Sequence, residues 1–383
     1  MTTQLPTPPP SRLGEWFDRQ TSRLMILPAV LILLALSIFP MIVSAYLALS
    51  KFSLAPGGYE LRYVGFRNFK KLLFGSQQFH FLGTLGSLSI FAWLVLAAVA
   101  GGCLYGLYRY LRRGRWGIVG LIGRLIAAAL AVGLTLLALL TLWTPGFPGS
   151  LMVTLVYVVA GVALQFALGL GLALLCAQQI RGRNFFRVVF FVPLMVTPVG
   201  IAYAFRMLAD MSKGPFSPLW QFLGLAEFSW SSDPWTARLV VMIGDTWQWT
   251  PFLFLVLLAA IENQPRDQLE AARIDGANGW QVFRDITWPS IAPVAATVVL
   301  IRVIEAFKII DLPNVLTNGG PGIATESMTL HAFIAWRTQD LGGSAAVGYM
   351  LLFVAVVTCV SFFNFVVRPT RQHEAEAQAG VGG

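Results

Sequence analysis

Charge is what this sequence has least of. Only 12% of its 383 residues are Asp, Glu, Lys or Arg, about half the share found in soluble chains. Cysteine is nearly as sparse: Cys103, Cys176 and Cys359 stand far apart inside apolar runs, which excludes a disulfide framework and a thiolate metal site. His80, His331 and His373 share no motif spacing. The dipeptide Gly-Lys does not occur, so there is no GxxxxGK[ST] phosphate loop and the chain is not expected to hydrolyse ATP by itself. Paired-carboxylate, Ser/His/Asp and HExxH arrangements are missing too, so no catalytic residue, metal or bound cofactor is expected. No basic patch interleaved with aromatics lies outside the flanks of the apolar runs, which excludes nucleic acid as a partner. The first apolar run is long and has no small-residue cleavage pattern, so it reads as a signal anchor.

Hydrophobic residues, by contrast, make up 56% of the chain, and mean hydropathy is +0.69. Several runs exceed the ~20 residues that cross hydrocarbon as a helix, and backbone without water to bond to must be helical at that depth. The expected fold is all-α and polytopic, with about eight transmembrane helices in a lipid bilayer at 24–50, 81–108, 117–143, 150–178, 188–208, 239–261, 290–311 and 345–367. Tails at 1–23 and 368–383 flank them. Eight spans put both termini on one side. Basic residues are nearly twice as dense in the segments on that side as in those opposite, which makes it the cytoplasmic one. The net charge of +9 therefore reports topology.

The polar stretch EAARIDGANGWQVFRDITWP, residues 270–289, lies on that same side, within a loop at 262–289. Pro265 suits a first helical turn and Gly276 the left-handed residue that closes one. Asp275 or Asn278 is then placed to cap a second helix, from about Gly279 to a break before Pro289. Trp280 and Phe283 share a face of that helix, an apolar face with no use in a bare loop unless it docks on something.

Glu270-Ala271-Ala272, then Gly276 and Ala277, then Ile286 and Pro289, resemble the EAA loop of binding-protein-dependent ABC importer permeases of the maltose-transporter type. Trp288 stands where the family usually has Leu. The string YVGFRNF at 63–69 and LTNGGPG at 316–322 are similar to segments of sugar-importer permeases at the corresponding places. The resemblance covers 24–74 and 150–367, so the pair of spans at 81–143 looks like an insertion into a six-helix core, placed at the periphery facing lipid. It implies that the loop, with Asp275 included, couples to a separate ATPase. The implied partners are a second related permease, two ATP-binding cassette subunits that use ATP and Mg, and an extracytoplasmic substrate-binding protein. The implied location is a bacterial inner membrane, and the implied cargo a sugar, polyol or related carbohydrate. A non-carbohydrate solute such as a glycerol phosphate is the alternative cargo. A secondary transporter or channel, and a structural membrane protein, are rival classes.

Charged residues inside a span are expensive and face the bundle interior or a watery path. Arg302, Glu305, Lys308 and Asp311 recur at i,i+3 spacing, so Glu305 can pair with Arg302 or Lys308, and Lys308 with Asp311. They read either as lining of a translocation pathway or as a structural ion-pair stripe, with Lys308 and Asp311 able to snorkel outward. Asp245, Trp247, Gln248 and Trp249 in GDTWQWTP suit sugar rings, and equally suit an interfacial aromatic belt. Pro193, Pro198 and Pro251 are expected to kink their helices.

Overall fold

The structure, a computed structural model, describes residues 21, 25–112, 117–143, 146–178, 182–224 and 229–368. The expected tails at 1–23 and 368–383 lie outside these apart from Thr21 and Arg368, as do residues 113–116 and 144–145 between the expected spans. Among the described residues, seven helices are long and apolar enough to cross a bilayer: Met25–Ala48, Ile90–Arg112, Ile118–Thr141, Ser150–Cys176, Pro234–Glu262, Gly279–Ala306 and Leu341–Val367. A bent pair, Arg183–Met195 with Pro198–Ala209, brings the number to eight when its halves are counted as one broken span. In chain order they are called the first to eighth spans, the bent pair being the fifth.

That fifth span corrects the expectation of one kinked helix at 188–208. Its halves meet at 101°. A residue preceding proline is driven out of the helical region, and Val196 and Thr197 are both extended. Pro198 then opens the second half, whose N-terminus is capped by the Thr197 hydroxyl accepting from the Gly200 amide at 3.3 Å. Pro251, in contrast, sits inside an unbroken sixth span.

The second span starts at Ile90 and not at Phe81. Residues before it form a short helix, Gln78–Phe81, and a strand, Gly83–Thr84, paired with Phe147–Pro148. Gly83 decides this: its φ is +90°, and a Cβ there would lie 1.9 Å from the Phe147 carbonyl oxygen. The sixth span begins early, at Pro234, because Asp233 caps it by accepting from the Trp235 and Thr236 amides at 3.1 and 2.9 Å. Residues 50–63 form an antiparallel hairpin between the first span and the helix Arg67–Phe74.

Three packed cores hold the bundle together. The largest joins the first, third, fourth, seventh and eighth spans through Ala48, Leu137, Met152, Val303 and Val347. Leu253, Phe254 and Leu257 of the sixth span pack on Ala173 and Cys176 of the fourth and on Ala295 and Val298 of the seventh. Few residues of the second span and of the first half of the third are buried, which places this hairpin at the edge of the bundle.

Asn68 fastens the first span at its far end. It is buried, and its side-chain amide donates to the Ala48 and Ser50 carbonyls at 2.8 and 2.9 Å. The eighth span enters against the same point, where a Cβ on Gly342 would sit 2.3 Å from the Ser50 oxygen. At this end too, outside the spans, Glu326 is buried beside His331 Nδ1 at 3.2 Å and His80 Nδ1 at 3.6 Å, and His331 Nδ1 also meets the Ser150 hydroxyl at 3.0 Å. Burial pushes the Glu326 carboxyl up to about 7 and holds the His331 imidazole down to about 4, with His80 adding to the latter.

Two outcomes are expected. Asn68→Ala leaves two buried carbonyls short of a donor, about 1–3 kcal/mol per lost partner, and lowers the thermal midpoint of the purified protein. Glu326 has a folded pKa above its unfolded value, so its ionisation opposes folding as pH rises from about 4.5 to 7. Glu326→Gln removes that penalty. The variant should come closest to wild type in thermal midpoint at pH 4 and exceed it at pH 8.

Candidate coupling finger and polar pocket

The finger follows from local chemistry. The sixth span ends at Glu262, and the helix Arg266–Ile274 follows Pro265, an extended N-cap. Gly276, at φ +80°, turns the chain. Asn278, and not Asp275, caps the next helix: its Oδ1 accepts from the Gln281 amide at 2.9 Å, while Gln281 Oε1 accepts from the Asn278 amide at 2.8 Å. The base is tied by Gln264, whose amide donates to the Thr287 carbonyl at 3.1 Å.

No break precedes Pro289. The seventh span runs unbroken from Gly279 to Ala306, passing through a wider π-type turn at Phe283–Thr287. A proline ring clashes with the carbonyl four residues back and offers no N–H, and a wide turn accommodates both defects. The second arm of the finger is therefore the start of a membrane helix.

Along the finger, Glu270, Ala271, Asp275, Gly276 and Pro289 are exposed, and Ala272, Ala277 and Phe283 are half-buried. Ile274 is 86% and Trp280 67% exposed. The Trp280 and Phe283 rings lie 5.6 Å apart, and Phe283 leads on to Trp288 at 6.2 Å. An apolar tip is thus held out on a braced base.

In the bundle, Arg302 is 1% exposed. Its partners are not its own helix neighbours, as the i,i+3 spacing suggests. Arg302 Nε donates to Gln165 Oε1 of the fourth span at 2.6 Å, and Nη2 donates to Asp245 Oδ2 of the sixth. Gln165 Nε2 donates to the same Asp245 oxygen at 2.7 Å. The guanidinium also lies 4.7 Å from the Trp249 ring centre. Three spans are thereby joined by a closed triangle of charge-assisted hydrogen bonds. Gln165 was not singled out from the sequence; its one signal is an amide within an otherwise apolar run.

Outward of the triangle is a pocket of about 270 Å³, which Asp245, Gln248, Trp249, Glu305, Lys308 and Asp311 help to line. Lys308 donates to Glu305 Oε1 at 2.7 Å, so Lys308 pairs with Glu305 and not with Asp311. Asp311 starts a short helix, Asp311–Thr317. Trp247 turns away, exposed on the outside and packed on Phe205 at 5.8 Å. The remaining candidates meet at one place, with Arg302 behind its wall.

Removing one member of a buried charge pair costs about 3–5 kcal/mol, because the other is left uncompensated. Asp245→Ala should therefore reduce the yield of folded protein and its thermal midpoint sharply. Asp245→Leu combined with Arg302→Leu should recover most of that loss, measured in the same melting experiment.

Comparison with known proteins fits this geometry. Residues 166–372 match the family of binding-protein-dependent transport system inner membrane components. The trehalose/maltose transport system permease protein MalF of Thermococcus litoralis is 35% identical over 209 residues, 55% of this chain and 70% of that protein. The trehalose transport system permease protein SugA of Mycobacterium tuberculosis is 30% identical over 221 residues, 57% of this chain and 67% of that one. Among solved structures, a bacterial ABC transporter involved in import of the acidic polysaccharide alginate shares the fold at TM-score 0.65 and 18% identity, over 94% of this chain and 99% of that one. The family match takes in the finger, Asp245, Arg302 and the pocket, and this chain belongs to the inner-membrane permeases of binding-protein-dependent transport systems.

Proposed function

We propose that this permease is the membrane subunit of an ATP-driven importer that takes up a sugar, polyol or related carbohydrate. The observation that carries the reading is the seventh span, a single helix bearing an exposed aromatic finger tip at one end and the buried Arg302 that backs the polar pocket towards the other. The finger and both termini lie in the cytoplasm, as the density of basic residues supports. The finger, Glu270 to Pro289, docks on one of two ATP-binding cassette subunits, which use ATP and Mg. A second, related permease completes the pathway. A binding protein delivers cargo from the opposite side of a bacterial inner membrane.

The pocket is the proposed cargo contact. The Trp249 face suits the apolar side of a pyranose ring, and Gln248, Glu305, Lys308 and Asp311 offer donors and acceptors for hydroxyls. The names of the relatives, which specify trehalose, maltose and starch degradation products, support carbohydrate over other solutes. The finger works against a secondary transporter or channel, which has no ATPase for it to meet.

In lipid nanodiscs, the assembled complex should hydrolyse ATP faster when its binding protein and one member of a panel of sugars, polyols and glycerol phosphates are added. Trp280→Ala should lower the affinity for the ATPase subunit by about 30-fold or more, the effect of losing a 2 kcal/mol anchor. Unchanged co-purification of that subunit would sink the docking role. Robust ATPase with no sugar response would remove carbohydrate alone.

A further inference from the structure

The edge hairpin leaves a groove that neither the fold nor transport accounts for. The second and third spans and the end of the eighth enclose a space of about 760 Å³, well within the size of sites that take small molecules. Its walls are small residues, among them Gly102, Gly106, Ala128 and Ala131. Its mouth is basic: Arg109 closes the second span, and Arg124 lies in the third. The Arg124 guanidinium stacks 4.1 Å from the Tyr110 ring centre and lies 5.7 Å from that of Phe365, so its edges are held over the opening.

Neither arginine has a carboxylate partner among the described residues, and no Asp or Glu occurs anywhere between Glu60 and Asp210. Asn364 at the same mouth spends its amide on the Val360 carbonyl. Among the described residues, then, two fixed cations stand at one end of an apolar trough with no carboxylate beside them. Arg112 extends the same basic edge.

We infer that this groove binds an anionic phospholipid, its phosphate on Arg109 and Arg124 and its acyl chains along the small-residue wall. The mouth lies at the end of the bundle that carries the finger: the last turn of the eighth span, Phe363–Val367, packs on the helix Trp288–Ala306 that continues from the finger. Lipid phosphates stand at that depth, and basic pockets between membrane helices on this side select anionic headgroups. A guanidinium presents parallel N–H donors that match a phosphate. A partner helix at this depth would need an acidic residue at the interface and an apolar face below it. A phospholipid has that order of groups by construction. Seated there, it would fasten the hairpin to the eighth span, on which the second span has little hold of its own.

The full chain, purified with its partner subunits and stripped of lipid, tests this by native mass spectrometry and thermal melting. The probes are phosphatidylglycerol, phosphatidylcholine of the same acyl chains, and inorganic phosphate. Phosphatidylglycerol should stay bound and raise the melting temperature. Arg109→Gln with Arg124→Gln should weaken it at least tenfold. Ala128→Leu, which fills the trough and keeps both arginines, should weaken it too and serves where the double variant does not fold. Equal retention of phosphatidylcholine, or equal protection by inorganic phosphate, would overturn the proposal, as would a protein partner occupying the groove with phosphatidylglycerol excluded.

Discussion

A single guanidinium constrains this bundle more than any other group. Arg302 cannot ionise in hydrocarbon at tolerable cost without an anion and hydrogen-bond acceptors, and its own helix supplies none in reach. Asp245 and Gln165 must therefore be delivered by two other spans, which fixes the rotation of all three helices about their axes. The apolar seams on the same helices, Leu253 and Phe254 against Ala173 and Val298, then have only one register in which to close. Non-directional burial makes the bundle compact, and the triangle makes it specific.

The same constraint sets the character of the pocket. With Asp245 and Arg302 spent on each other in the wall, the groups left facing the space are an aromatic face, an amide, the Asp311 carboxylate and the half-buried Glu305 paired with exposed Lys308. A solvated pair of that kind is weakly held and free to exchange partners with a polar guest. Arg302 is not. The sequence offered both roles for this row of charges, a pathway lining or a structural stripe, and the structure divides them: Arg302 is buried in the wall, and Glu305 and Lys308 face the pocket.

What was legible from the sequence was local. Gly276 at a left-handed position, Asn278 as one candidate cap and Lys308 with Glu305 all follow from spacing within a turn or two. What was not legible involved partners far along the chain. Spacing of three residues nominates Glu305 for Arg302, yet Asp245, 57 residues away, holds it, and Glu305 pairs instead with Lys308. Gln165 gave only the hint of an amide among leucines. The start of the second span differs for the same kind of reason, since the strand Gly83–Thr84 exists only through pairing with Phe147–Pro148, Thr84 and Phe147 being 63 residues apart. The broken fifth span was half visible: Pro193 and Pro198 announced a bend, and only the cap at Thr197 tells that the helix stops.

Continuity through Pro289 bears on how motion at the finger would reach the pocket. From Trp280 to Arg302 the chain rises roughly 1.5 Å per residue as one helix, so a displacement of the tip moves a rod and does not stretch a loop. The Gln264 amide on the Thr287 carbonyl keeps the rod's base from sliding freely against the end of the sixth span, which the Arg187–Glu262 ion pair ties in turn to the fifth. What remains available is tilt about the three-span triangle, because that is where the rod is gripped most tightly. Glu305 and Lys308 lie one and two turns beyond the grip. In the proposed reading, a push on Trp280 therefore swings the pocket side of the rod in the opposite sense, opening one end of the pathway as the other closes. The wide turn at Phe283–Thr287 is the weakest part of such a lever, so the braces sit beside it.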